Sequence, residues 1–152
     1  MTTIVYCDKT KQIACDSRTT LGDIVIDSCA IKYKITKDKV WFCAGNKGDA
    51  DTFIQHYEPL IEANKNLSVD AIFVITSGEC AKGVYMTTID NNNIYRECIL
   101  DHNYATGSGY TWAMSALDHG KTAKEAVEYA MTRDIYSGGK VHVYDIVKSE
   151  FT

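Results

Sequence analysis

The chain has 152 residues, 45% hydrophobic and 24% charged, with a formal net charge of −4. That length suits one domain with a real core, spanning 1–152. Mild acidity without a basic block or an aromatic-basic stripe argues against nucleic acid as a partner, and the longest apolar runs fall far short of a membrane span.

Met1 is followed by Thr2 and Thr3, which run straight into an apolar strand pattern, Ile4-Val5-Tyr6-Cys7. Removal of Met1 leaves a threonine carrying a hydroxyl nucleophile and its own base, a free α-amine of ordinary pKa about 7.7–8. Threonine activated by its own amine is a recognised nucleophile class. Taken alone, these residues read first as an ordinary opening strand. No charged start, apolar stretch and cleavage site of a signal peptide is visible, so a cytoplasmic setting is expected. The six cysteines, Cys7, Cys15, Cys29, Cys43, Cys80 and Cys98, form no C-x-x-C pair. Most lie among apolar strand residues, where a free thiol acts as a small hydrophobe.

Strands are expected over Thr3–Asp8 and Gln12–Asp16, joined by a polar Lys9-Thr10-Lys11 turn, and over Ile31–Thr36 and Val40–Ala44, joined by Lys37-Asp38-Lys39. After a glycine-bearing turn at Gly45–Gly48, Phe53, Tyr57 and Ile61 recur at helical spacing, with Pro59 set to kink that helix or start another. Strands resume at Ala71–Thr76, Gly83–Ile89 and Asn93–Ile99, with a tight turn at Asp90–Asn93. Gly107-Ser108-Gly109 leads into an apolar helix with Trp112, Ala113, Ala116 and Leu117. Thr122-x-x-Glu125 has the form of a capping box and opens a second helix with Ala126, Val127, Ala130 and Met131 on one face. The polar connection Arg133–Gly139 enters a last strand, Val141–Val147. Strands, helix, strands, helices, strand indicates α+β with helices stacked on sheet.

Four further segments put unusual polar groups at element edges: Asp16-Ser17-Arg18, Lys32 beside the apolar run Cys29-Ala30-Ile31, Ala44-Gly45, and Asp134 with Ser137. Singly, each has a plain reading. Asp16 caps a turn, Lys32 snorkels, Gly45 serves a turn, and Arg133-Asp134 is a surface pair. Together and in order they resemble the proteasome β-type, HslV-like N-terminal-nucleophile threonine peptidases. The resemblance spans nearly the whole chain. Thr2-Thr3-Ile4-Val5 resembles the mature N-terminus, Asp16-Ser17-Arg18-Thr19-Thr20-Leu21-Gly22 the acidic-residue loop, with Lys32 following at the family spacing. Ala44-Gly45-Asn46-Lys47-Gly48-Asp49-Ala50 resembles the turn into the first helix. Thr106-Gly107-Ser108-Gly109 and Arg133-Asp134-Ile135-Tyr136-Ser137-Gly138-Gly139 resemble the last two signatures.

The resemblance implies an αββα four-layer sandwich of two antiparallel sheets between helix layers. It implies Thr2 as nucleophile, Lys32 charged beside it, Asp16 pairing with Lys32, and Ser108, Asp134 and Ser137 around the amine. The Gly45 backbone N–H would receive the oxyanion, a donor whose loss typically costs about 10²–10³ in rate. Thr19, Ala30, Lys34, Cys43, Lys47 and Asp51 would line the substrate pocket, with the backbone of Thr20 and Lys47 pairing with an extended substrate. Two lysines and an aspartate argue against a purely apolar preference.

It implies further a homo-oligomeric ring, stacked as a double ring, acting on polypeptides and served by a separate ATP-dependent unfoldase. The stretch that would meet such a partner is where the pattern lapses: family members carry a second long helix where this chain passes from Asn64-Lys65-Asn66 almost directly into Ala71–Thr76. No cofactor or metal is expected. Gly45–Gly48 lacks P-loop spacing, no zinc pattern occurs, and His56, His102, His119 and His142 are scattered. The competing readings are a catalytically silent shell or scaffold subunit and a small-molecule amidohydrolase of the same fold.

Overall fold

The computed structural model describes residues 1–57, 67–90 and 93–152. Pro59, Ile61, Asn64-Lys65-Asn66 and the middle of the Asp90–Asn93 turn lie outside the described residues. In chain order the elements are β1 (Thr3–Cys7), β2 (Gln12–Cys15), β3 (Thr19–Leu21), β4 (Ile24–Asp27), β5 (Tyr33–Ile35), β6 (Lys39–Gly45), α1 (Lys47–Tyr57), β7 (Val69–Ile75), β8 (Val84–Asp90), β9 (Asn93–Cys98), β10 (Tyr104–Gly107), α2 (Tyr110–Asp118), α3 (Ala123–Met131), β11 (His142–Asp145) and β12 (Glu150–Phe151).

Two antiparallel five-stranded sheets, ordered β10-β1-β2-β11-β12 and β5-β6-β7-β8-β9, stack face to face. Strand periodicity explains the layering. Alternate side chains point to opposite faces, and here both faces of the central strands are covered. Ile4 and Tyr6 of β1 meet Val40, Phe42 and Ala44 of β6 and Ile72 and Val74 of β7 between the sheets. Val5 and Cys7 point the other way, onto Ala113, Ala116 and Leu117 of α2 and Ala126, Val127 and Ala130 of α3. On the far side Trp41 and Phe73 pack against Phe53 and Tyr57 of α1, Trp41 meeting both α1 rings edge-on at 6.0 and 5.0 Å between centroids. The architecture is therefore αββα, as expected. Doubly covered strands also explain why β1, β6 and β7 read as continuous apolar runs rather than as alternation.

The capping box forms: Thr122 Oγ1 accepts from Glu125 N, and Glu125 accepts from Thr122 N at 2.9 Å. The β3–β4 hairpin, with a left-handed Gly22 (φ 57°) in its turn, is absent from the sequence reading although Gly22-Asp23 is a two-residue hairpin signal. All of β4 is exposed, so no burial pattern marks it. The short strands β10 and β12 are also additional; among the described residues β10 is an edge strand that pairs with β1. Among the described residues no helix is long and apolar enough to cross a membrane.

Candidate active site

The chain start is fixed by a strand buried along its whole length. β1 pairs β10 on one side and β2 on the other, so Thr2 is carried to the end of the first sheet. Gly107 closes β10 against it. Its φ of 94° suits glycine, and a Cβ there would lie 1.8 Å from the Thr2 carbonyl oxygen. Thr2 itself is only 4% exposed, and its hydroxyl has no hydrogen-bond partner among the described residues.

Asp16 follows β2 directly. Asp16 N donates to Thr3 O (3.3 Å), which folds the carboxylate back onto the chain start. Fully buried, it accepts from Thr3 N (3.1 Å) and Lys32 Nζ (3.0 Å) through Oδ1, and from Arg18 N (3.2 Å) and Gly138 N (2.9 Å) through Oδ2. Lys32 arrives on the strand-less stretch after β4 and also donates to the Met1 carbonyl oxygen at 2.9 Å. Its ammonium is therefore beside the Met1–Thr2 peptide bond. Burial lowers the proton affinity of Lys32, against an opposing pull from Asp16. The Met1 amine is also lowered, by burial first and then by the charge of Lys32.

A second carboxylate, Asp134, sits just past α3. Ser108 Oγ (2.5 Å) and Ser137 Oγ (2.6 Å) both donate to Asp134 Oδ2. A hydroxyl has one proton to give. Ser137, having given its proton to Asp134, accepts from Thr3 Oγ1 at 2.7 Å. Ser108 Oγ lies 3.4 Å from the Thr2 carbonyl oxygen. Ser137 thus reaches Thr3 rather than the nitrogen of Thr2, and Ser108 is the serine beside Thr2.

Thr2 stands between two clefts. The first, about 500 Å³, is lined by every residue expected to bind substrate: Thr19, Thr20, Ala30, Lys34, Cys43, Lys47 and Asp51. Lys34 and Asp51 form an ion pair across it at 3.4 Å. Cys43 lines it as a neutral thiol, its pKa pushed up to about 12 by burial; Cys15 is raised to about 12 in the same way. Neither is primed as a nucleophile. The second cleft, about 660 Å³, shares Met1, Thr2 and Gly45 with the first. Gly45, exposed at the end of β6 with φ 103°, opens on both; a Cβ there would lie 2.3 Å from Ser68 O.

Several lining residues escaped the sequence reading. Ala50 and Ile54 had a signal, since they share a helix face with Lys47 and Asp51 at i, i+3, i+4 and i+7. Asp70, Tyr104 and Tyr110 had none, because only sheet pairing and stacking bring them to Thr2. Among the described residues no group of three or more His, Cys, Asp or Glu side chains is placed to hold a metal ion.

No protein-family model matches the chain, and no curated protein matches its sequence. The fold is HslV-like. A solved structure, eukaryotic HslV from Trypanosoma brucei, superimposes with a TM-score of 0.71 at 24% identity, covering 93% of this chain and 97% of that one.

Proposed function

We propose that the protein is a threonine-type endopeptidase of a self-compartmentalising, proteasome-like ring, cleaving unfolded polypeptides with Thr2 as nucleophile once Met1 is gone. The observation that carries this reading is the Asp16–Lys32 pair bonded onto the Met1 carbonyl at the mouth of a cleft. While Met1 is attached, the Thr2 nitrogen is an amide and has no basic lone pair. Its removal frees an amine within reach of Lys32, whose charge lowers the proton affinity of both amine and hydroxyl. The Thr2 hydroxyl then attacks a peptide carbonyl and passes its proton to the amine, while the Gly45 N–H receives the developing oxyanion. Water, activated by the same amine, releases the acyl group.

The first test is an intact mass measured on a preparation that cleaves small peptides. The expected species lacks Met1. A full-length chain that still cleaves overturns the mechanism, and a full-length chain that cleaves nothing favours the silent shell subunit.

The ring follows from the need to enclose an unguarded peptidase and from the preference of homo-oligomers for closed symmetry. The fold likeness to HslV supports it. Light scattering is expected to give a mass many times 17.0 kDa. A monomer at micromolar concentration would rule out the compartment and favour a free peptidase or a small-molecule amidohydrolase. In this reading a separate ATP-dependent unfoldase delivers the substrate.

A further inference from the structure

The two clefts beside Thr2 differ in charge. The first carries Lys34 and Lys47 against Asp51. Among the described residues the second is lined by no lysine, arginine or histidine, and its one charged side chain is Asp70. Asp70 lies exposed on β7, in register with Ala44 of β6 and Thr88 of β8. Thr88 Oγ1 donates to Asp70 Oδ1 at 2.6 Å, which orients the carboxylate; Oδ2 has no partner among the described residues. Tyr104 and Tyr110 line the same cleft, Tyr110 being 53% exposed. Burial, then the charge of Asp70, keeps the Tyr104 phenol protonated. An open carboxylate oxygen beside aromatic faces is the setting a cation prefers over an anion.

We propose that this second cleft is a subsite for a lysine or arginine side chain on the leaving-group side of the cleaved bond, with Asp70 as its recognition group. The inference rests on the peptidase reading above, in which the first cleft takes the acyl side. The bond from Thr2 Oγ to the carbonyl carbon forms, and the carbon–nitrogen bond breaks. The proton held on the α-amine passes to the departing nitrogen. That nitrogen becomes a free amine, protonated in water, so the leaving segment gains positive charge beside Asp70.

The test uses internally quenched peptides that differ only in the first residue of the leaving segment: lysine, leucine or glutamate. An attractive contact with lysine and a repulsive one with glutamate together favour lysine by about tenfold in kcat/KM, and added salt narrows the gap. Asp70→Asn keeps an oxygen for Thr88 and is expected to bring the lysine-to-glutamate ratio near unity; Asp70→Lys is expected to invert it. Equal cleavage of the three peptides by the wild type, or an unchanged ratio in Asp70→Asn, overturns the subsite and leaves the peptidase reading standing. With no cleavage of any peptide by chain that begins at Thr2, the peptidase reading fails. The subsite is then judged by titrating the amides of Lys-Ala-Ala and Glu-Ala-Ala. Tighter binding of the lysine peptide, lost in Asp70→Asn, sustains the cation site; equal binding overturns it.

Discussion

Thr2→Ala is expected to lower peptide hydrolysis by on the order of 10⁴-fold or more, the scale seen when a nucleophile is removed from a unit that acts together. The fold should survive. The Thr2 hydroxyl makes no hydrogen bond among the described residues, so the substitution costs about 1 kcal/mol of lost packing. Circular dichroism and light scattering should match the wild type. Lys32→Ala should come close to the same loss, for a different reason: in the proposed mechanism the freed Thr2 amine loses the cation that holds down its proton affinity. The sign is checkable. A general base must be deprotonated, so activity falls as pH drops through the amine pKa. A cation beside a freed Thr2 amine disfavours its protonated form, as burial and then Lys32 do for the Met1 amine, and removing the cation raises the amine pKa. The residual activity of Lys32→Ala should therefore need higher pH than the wild type. Wild-type turnover in Thr2→Ala would move the nucleophile elsewhere. An unshifted acid limb in Lys32→Ala would show that Lys32 does not act through the amine.

Asp16 gives the second large effect, and the informative change is the mild one. Each of its oxygens faces two donors and no acceptor: Thr3 N with Lys32 Nζ, and Arg18 N with Gly138 N. Asparagine must turn an NH₂ group toward one of those pairs, whichever way it is flipped. Asp16→Asn is therefore expected to destabilise nearly as much as Asp16→Ala. Both should cost about 3–5 kcal/mol, the range for breaking a buried pair, read as a lower midpoint in urea. Activity should fall with them, since Lys32 loses the group that positions it. A loss below about 1 kcal/mol for Asp16→Asn would mean that the carboxylate is not the anchor its contacts describe.

The contrast between legible and illegible residues follows how far apart in sequence the determining contacts lie. The capping box at Thr122 and Glu125 was readable because its partners are three residues apart. The helix α1 was readable from Phe53 and Tyr57, whose spacing answers to one face. The β3–β4 hairpin carried its turn signal at Gly22-Asp23, yet its exposed apolar strand has no burial pattern to confirm it. The seven residues expected to bind substrate were legible only through family resemblance; nothing local links Thr19 to Asp51, and the cleft joins them.

By itself the sequence determined the α+β class, most element positions, and the chemical types at the site: a threonine behind Met1, an aspartate after β2, a lysine on the following stretch, and serines beside turn glycines. These depend on short-range periodicity, turn chemistry and residue identity. Tertiary structure alone decided which serine meets which threonine, that Lys32 bonds the Met1 carbonyl, and that Lys34 spends its charge on Asp51. It alone opened the second cleft, where Asp70 of β7 and Tyr104 of β10 come from different sheets. The reason is geometric: period and propensity constrain each strand along its own axis, whereas the stacking of two sheets sets which strand ends converge, and that depends on all the buried side chains at once.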